Sequence, residues 1–430
     1  MTAAVPVRRE HIVLYALLTS LTAISIDALL PGLRQMGRDL GTPPPLSTHH
    51  VISLFIFGMA FGELLVGPLS DALGRRRTLG LGLCLYAAGT AIALLAGSLE
   101  AVILGRILQG IGVSGPKIAT RAMIRDRFEG AAMARILSFI FTLLVLVPML
   151  APALGQGLVA LAGWRGVFGF YLLMAAVLGL WVALRLPETL SPSRRIPFRP
   201  RLLAGNAGRI LADRQVSLLI AATGLVFGAQ LLYLSIAADL FFDLYGIAET
   251  FPFYFAALAA AVGLASFLNA RLVRRVGMEA MARRAFRGLT AAGLLLLLAC
   301  AIWAGRPPLP VFLGLGFGAF FAIGLLFGNL NALAMRSLGQ LAGLGASLIA
   351  ALSSLIATLF TVALGAFYDG TALPLAVGFS LAGAGALALG ALAMRAEPAM
   401  VEALRQTAAQ GRGIRSDVRE AGRSGRPGRR

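Results

Sequence analysis

The chain has 430 residues, of which 58% are hydrophobic and only 13% charged, and its mean hydropathy is +0.83. Soluble domains carry about 45–50% apolar and about 25% charged residues, so this much apolar surface has to dissolve in lipid; a soluble enzyme, a secreted disulfide scaffold and a disordered chain are excluded. The net charge of +19 sits almost wholly in arginine clusters between apolar runs, with Lys117 the only lysine, and that pattern fits anionic lipid rather than nucleic acid.

Twelve apolar segments follow one another at 11–38, 47–70, 78–98, 101–121, 133–160, 164–186, 215–240, 249–272, 286–305, 309–334, 341–367 and 372–395. Each approaches or exceeds the roughly 20 residues that a membrane helix needs. They are too long for barrel strands and show no period-two alternation, so an all-α membrane protein is expected. The first run exceeds a signal peptide's apolar core and lacks a small-x-small cleavage site, so it is read as an uncleaved span.

One side of the membrane receives Arg8, Arg9, Arg75, Arg76, Arg77, Arg125, Arg127 and Arg135, then the clusters at 194–214 and 274–287; the other receives only Arg34, Arg38, Arg165 and Arg306. The positive-inside rule then predicts a multi-pass inner-membrane protein with both termini cytoplasmic. The Pro- and Arg-rich connection divides the chain into an N-terminal six-helix bundle at 1–190, a cytoplasmic linker at 191–214 and a C-terminal six-helix bundle at 215–395. A basic tail at 396–430 is expected to be disordered or loosely held on lipid. Each half carries a basic turn after its second helix, at Gly74-Arg75-Arg76-Arg77 and Arg274-Arg275-Val276-Gly277, and an acid in its first helix, Asp27 and Asp239. These echoes indicate a duplicated unit, an architecture used by transporters.

Asp27 lies near the middle of the first span. An ionised carboxylate there costs about 2.5–3.5 kcal/mol, so Asp27 must face water, be protonated or meet a cation. It is the first candidate for proton coupling, with Glu63 of the second span as the next. Arg106 begins the fourth-span run Arg106-Ile-Leu-Gln109-Gly110. A buried guanidinium does not shed its proton, so Arg106 is expected to hold Asp27 or Glu63 ionised. Lys117 and Arg121, further along, are read either as cavity charges or as anchors at the membrane edge.

The segment Gly67-Pro68-Leu69-Ser70-Asp71-Ala72-Leu73-Gly74-Arg75-Arg76-Arg77 joins the second and third spans. Its glycines permit a tight turn, and Asp71 can cap a helix or clasp an arginine of a neighbouring helix, which would hold one face shut. Pro148 and Pro152 are four residues apart on one face of the fifth span and bend it, while Gly155 and Gly157 allow a neighbouring helix to come close.

These segments resemble motifs of the major facilitator superfamily. The turn is similar to the signature loop Gly-x-x-x-Asp-Arg-x-Gly-Arg-Arg, with Ala72 in place of the usual Arg. Arg106-x-x-Gln109-Gly110 resembles the second motif, and Pro148 to Gly157 the antiporter motif. Closer still is the Bcr/CflA branch of drug:proton antiporters, to which Ser25-Ile26-Asp27 with Leu30-Pro31, Arg121-Ala-Met-Ile-Arg125-Asp126 and Phe327-Gly328-Asn329 are similar. The resemblance implies two pseudo-symmetric six-helix bundles around a central cavity and proton-coupled multidrug efflux, with Gly67, Asp71, Gly74, Arg75, Arg76, Gln109, Gly110, Pro148, Pro152 and Gly155 in gating. Tyr15, Phe227, Tyr233, Asp239, Phe320 and Asn329 are the expected cavity residues.

Export of an amino acid or other metabolite is the alternative. An intramembrane serine protease built on Gly112-Val113-Ser114-Gly115 is a remote one, because Ser114 needs a histidine base and only His11, His49 and His50 exist. No metal or cofactor is expected: His49 and His50 have no acid or thiol cluster at ligand spacing, and Cys84 and Cys300 read as inert thiols in separate apolar runs. The expected partners are a small-molecule substrate, protons and lipid, with the chain acting as a monomer.

Overall fold

In lipid a backbone must satisfy its own hydrogen bonds, and long runs without a strand pattern leave it the helix. The computed structural model describes residues 9–128 and 130–395, and no strand occurs among them; the tail at 396–430 lies outside the described residues. Helix α1 (Arg9–Asp27) continues through a 3-10 turn (Leu30–Gly32) into α2 (Leu33–Leu40). There follow α3 (His49–Leu73), α4 (Arg75–Leu95), α5 (Leu99–Arg127) and α6 (Gly130–Arg185). The amphipathic α7 (Pro200–Ala212) lies in the linker, and after it come α8 (Arg214–Tyr245), α9 (Phe251–Val276), α10 (Met278–Ile302), α11 (Leu309–Met335), α12 (Ala342–Gly365) and α13 (Leu373–Arg395).

Among the described residues, ten ranges are long and apolar enough to cross a membrane. Two further passes complete the expected twelve. Helix α5 carries several cationic side chains and so is not among the ten, and α6 contains two passes counted once. The reversal inside α6 falls at Ala162 and Gly163, where helical dihedrals are lost. Gly163 has a φ of +65°, open to glycine at no steric cost. Gln35 and Asp39 of α2 hold this corner by accepting from the backbone N–H and the indole N–H of Trp164.

The two halves repeat a local device. Gly74 (φ +102°) ends α3 and starts α4, and Gly277 (φ +85°) ends α9 and starts α10. Glycines also set the closest helix pair: a Cβ on Gly82, Gly89, Gly105 or Gly112 would strike the backbone of the facing helix between α4 and α5. The halves meet along two seams, α3 against α12 and α6 against α9. The space between the seams is where the site lies.

Candidate functional site

A cavity of about 280 Å³ lies between the halves. Helix α1 contributes Thr19, Thr22, Ala23, Ile26 and Asp27, spaced as one helical face. Helix α5 adds Lys117 and Arg121, one turn apart, and Pro148 stands on α6. From the other half, α8 presents Phe227, Gln230 and Tyr233, α9 presents Phe255, and α11 presents Phe320. Tyr233 stacks on Phe255 with centroids 5.8 Å apart and meets Phe320 edge-on at 4.8 Å.

Asp27 is the last residue of α1, and its carboxylate has no hydrogen bond or ion pair among the described residues. It is 4% exposed. The α-helix passes there into a turn and the 3-10 segment Leu30–Gly32, and α6 presses against this joint at Gly155, where any Cβ would collide with the Ala28 carbonyl. Thus the glycine of the fifth span positions the end of the helix that carries the acid.

The expected pairing of Arg106 with Asp27 or Glu63 is not found. Arg106 is fully buried on another side of α5, where its Nε donates to the Val51 carbonyl at 3.0 Å and its Nη1 to Gln109 Oε1 at 2.5 Å. Its guanidinium lies 4.1 Å above the Phe55 ring, and Gln109 in turn donates to Thr90 Oγ1 at 2.8 Å. Helix register explains the difference. Helices α3 and α5 run parallel, and Arg106 meets Val51 as Ser114 meets Met59, so Glu63 lies beside Lys117. Lys117 Nζ is 2.5 Å from Glu63 Oε1, and Glu63 Oε2 accepts from Ser354 Oγ of α12 at 3.3 Å. The buried acid of α3 therefore ties its own half to the other, and Gly67 continues that seam by packing on Ser347. Gly110 lies against the backbone of Phe55, so it serves the α3–α5 contact.

At the arginine-rich face, the α3–α4 turn is a closed network. Arg75 donates to Asp71 Oδ1 at 2.5 Å, to Ser70 Oγ at 3.0 Å and to Asp126 Oδ2 at 3.2 Å. The Glu188 carboxylate caps α4, accepting from the backbone N–H of Arg75 at 2.9 Å and of Arg76 at 3.2 Å. Arg76 reaches on to the Ala183 carbonyl, and Thr189 donates to Asp126 at 2.9 Å. Asp126 and Glu188 are thus the hubs, although the motif comparison drew attention to Asp71.

Three expected cavity residues lie elsewhere. Asp239 sits beyond the cavity wall on α8, 2.9 Å from His49 Nε2. Asn329 is about 13 Å along α11 from Phe320 and donates to Asn269 of α9 at 2.7 Å. Tyr15 is fully buried one turn before Thr19, past the end of the cavity. Phe227, Tyr233 and Phe320 stand on the wall. Gln230 and Phe255 were not singled out from the sequence, yet the three-residue spacing of Phe227, Gln230 and Tyr233 marks one face of α8.

The arginine-poor face is held by contacts between the halves: His49 with Asp239, Arg34 with Asp243 at 2.9 Å, and Gln156 donating to the Glu249 carbonyl at 3.1 Å. Ser114 donates to the carbonyls of Met59 and Gly110, and none of the three histidines bonds to it among the described residues. His11 contacts the Arg185 carbonyl and His50 contacts Ser47.

The sequence matches the Major Facilitator Superfamily over residues 15–362. It is 27% identical over 337 residues to the bicyclomycin resistance protein homolog of Haemophilus influenzae, covering 77% of this chain and 83% of that one. It is 29% identical over 301 residues to the chloramphenicol resistance protein of Pseudomonas aeruginosa, covering 66% and 67%. Among solved structures, the peptide transporter POT superposes with a TM-score of 0.72 at 17% identity, covering 92% of this chain and 97% of that one, which is a likeness of fold alone.

Proposed function

This chain belongs to the major facilitator superfamily, and we propose that it is a proton-coupled exporter of small amphipathic compounds, drugs among them, working by alternating access. The observation that carries the reading is Asp27: a carboxylate without a partner among the described residues, on the wall of an otherwise mostly apolar cavity between two helix bundles. A buried acid of this kind is stable as the protonated form and gives up its proton when a ligand supplies something better to bind. The names of the resistance proteins it resembles support a drug as cargo.

In this reading the arginine-rich face is cytoplasmic, and the halves at 1–190 and 215–395 rock about the cavity while the linker at 191–214 keeps them joined. Substrate enters from the cytoplasmic side and displaces the Asp27 proton. The His49–Asp239 and Arg34–Asp243 contacts then part, the substrate leaves outward, and a proton from outside reloads Asp27. The Asp71–Arg75–Asp126 network and the Glu188 cap hold the inner end of α3 and α4 as one body during the swing. Both sides of the cavity wall come from a single chain, which supports a monomer as the working unit.

An efflux panel in a transporter-depleted host, including bicyclomycin and chloramphenicol, identifies a substrate. That substrate, added to detergent-solubilised protein at low buffer strength, is expected to release protons from the wild type and none from Asp27→Asn. Equal release from both proteins sinks the assignment.

A further inference from the structure

The cavity carries an acid at one end and a guanidinium at the other. His11 of α1 and Arg127 of α5 touch at 3.5 Å, which sets a common level near the arginine-rich face. At 1.5 Å rise per residue, Asp27 stands about 24 Å above that level, Lys117 about 15 Å and Arg121 about 9 Å. Lys117 is neutralised by Glu63. Arg121 lines the cavity and makes no hydrogen bond or ion pair among the described residues; the Glu63 carboxylate acts on it only at longer range, so one positive charge of the Lys117, Arg121 and Glu63 group is left over. The cavity thus presents one carboxyl group at the far end and one guanidinium at the near end. Phe227, Tyr233, Phe255 and Phe320 form an aromatic band on the same cavity wall. The buried Tyr233 hydroxyl of that band, with Thr22 Oγ1 and Gln230 Oε1 nearby, finds no partner among the described residues.

From this arrangement we propose that the substrate is an amphipathic zwitterion: an amine seated on Asp27, an acid group on Arg121, and an aromatic body between them. The inference rests on the exporter reading and names its substrate class. A ligand with only an amine leaves the Arg121 guanidinium, which opens onto the cavity, without a counter-charge, and one with only an acid leaves the buried Asp27 without a cation. The sign of the charges also matters for exchange. An anion binds better when Asp27 is protonated, so an acid alone would travel with the proton. An ammonium competes with the proton for the same oxygens, so the zwitterion expels it to water while its acid group neutralises Arg121. The free hydroxyls and amide at the band offer hydrogen bonds to polar groups on the body.

A matched set of ligands tests this on the intact protein in detergent. The frame is a biphenyl with an aminomethyl group at one para position and a carboxylate at the other. Its methyl ester is the amine-only member, its N-acetyl derivative the acid-only member, and the N-acetyl methyl ester the neutral one. Equilibrium dialysis is expected to show the zwitterion binding at least about tenfold tighter than any of the other three, which corresponds to about 1.4 kcal/mol. Arg121→Gln should erase the zwitterion's advantage over the ester, and Asp27→Asn its advantage over the N-acetyl acid. The wild-type series decides the matter even where a variant fails to fold. An ester or N-acetyl acid that binds as tightly as the zwitterion, or a zwitterion that does not bind, overturns the proposal. Proton release on ligand binding separates the two readings: release by the ester without zwitterion preference removes only the substrate class, whereas zwitterion preference without release removes the exchange mechanism.

Discussion

Glu63 and Lys117 show how one residue pair can be both structural and exposed to function. Glu63 is 1% exposed, and Lys117 reaches it from the cavity side. Removing one partner of a buried ion pair typically costs about 3–5 kcal/mol, because the other charge is stranded. Replacing both removes the stranded charge as well. Glu63→Gln is therefore expected to lower thermal stability in detergent strongly, and Glu63→Gln with Lys117→Met to recover most of the loss. A double variant no more stable than the single one would show that the pair is not coupled. Arg106 belongs to the same argument with the opposite outcome. Its bonds go to the Val51 carbonyl of α3 and to Gln109 of its own helix, so it fastens α5 to α3 and meets neither acid.

The α3–α4 turn is held by charges that are shared unequally. Asp71 is half-exposed, and Arg75 retains Ser70 and Asp126 without it. Exposed pairs of this kind contribute roughly 0–1 kcal/mol. Asp126 is well buried and accepts from both Arg75 and Thr189. Asp126→Asn is accordingly expected to shift the balance between open faces more than Asp71→Asn. Cysteine labelling at positions on the arginine-poor face reports the shift. Equal labelling in the two variants would remove the ranking. Ala72, which stands where the family's signature loop usually has an arginine, also fits a network centred on Arg75 rather than on the residue after Asp71.

At the scale of the whole molecule, the charge carried per cycle sets the driving force. A zwitterion is net neutral, so exchanging it for one proton moves one positive charge inward. The membrane potential then contributes about 2.3 kcal/mol per 100 mV, in addition to the pH gradient. In reconstituted vesicles, a voltage imposed without a pH gradient is expected to drive uphill movement of the zwitterion. Transport that ignores voltage would mean that no net charge crosses. In the proposed cycle the contacts of His49 with Asp239 and Arg34 with Asp243, which join the halves at the arginine-poor face, part in each turn.

What the residue order determined by itself is the part of the fold that rests on local pattern. Apolar length and the absence of alternation specified twelve helices, because backbone groups in lipid have nowhere else to bond. Glycines at Gly74 and Gly277 marked matching turns in the two halves, and the one mid-span acid of the first helix stood on the cavity wall together with Phe227, Tyr233 and Phe320. What only the tertiary structure decided is which distant groups meet. The offset between parallel α3 and α5 gave Glu63 to Lys117 rather than Arg106, and the level of Asp239 on α8 gave it to His49 rather than to the cavity. A helix repeats every 3.6 residues and so announces its faces, but the sliding of one helix along another is set by the packing of glycines and side chains across the whole interface. That is why the faces were legible in the sequence and the partners were not.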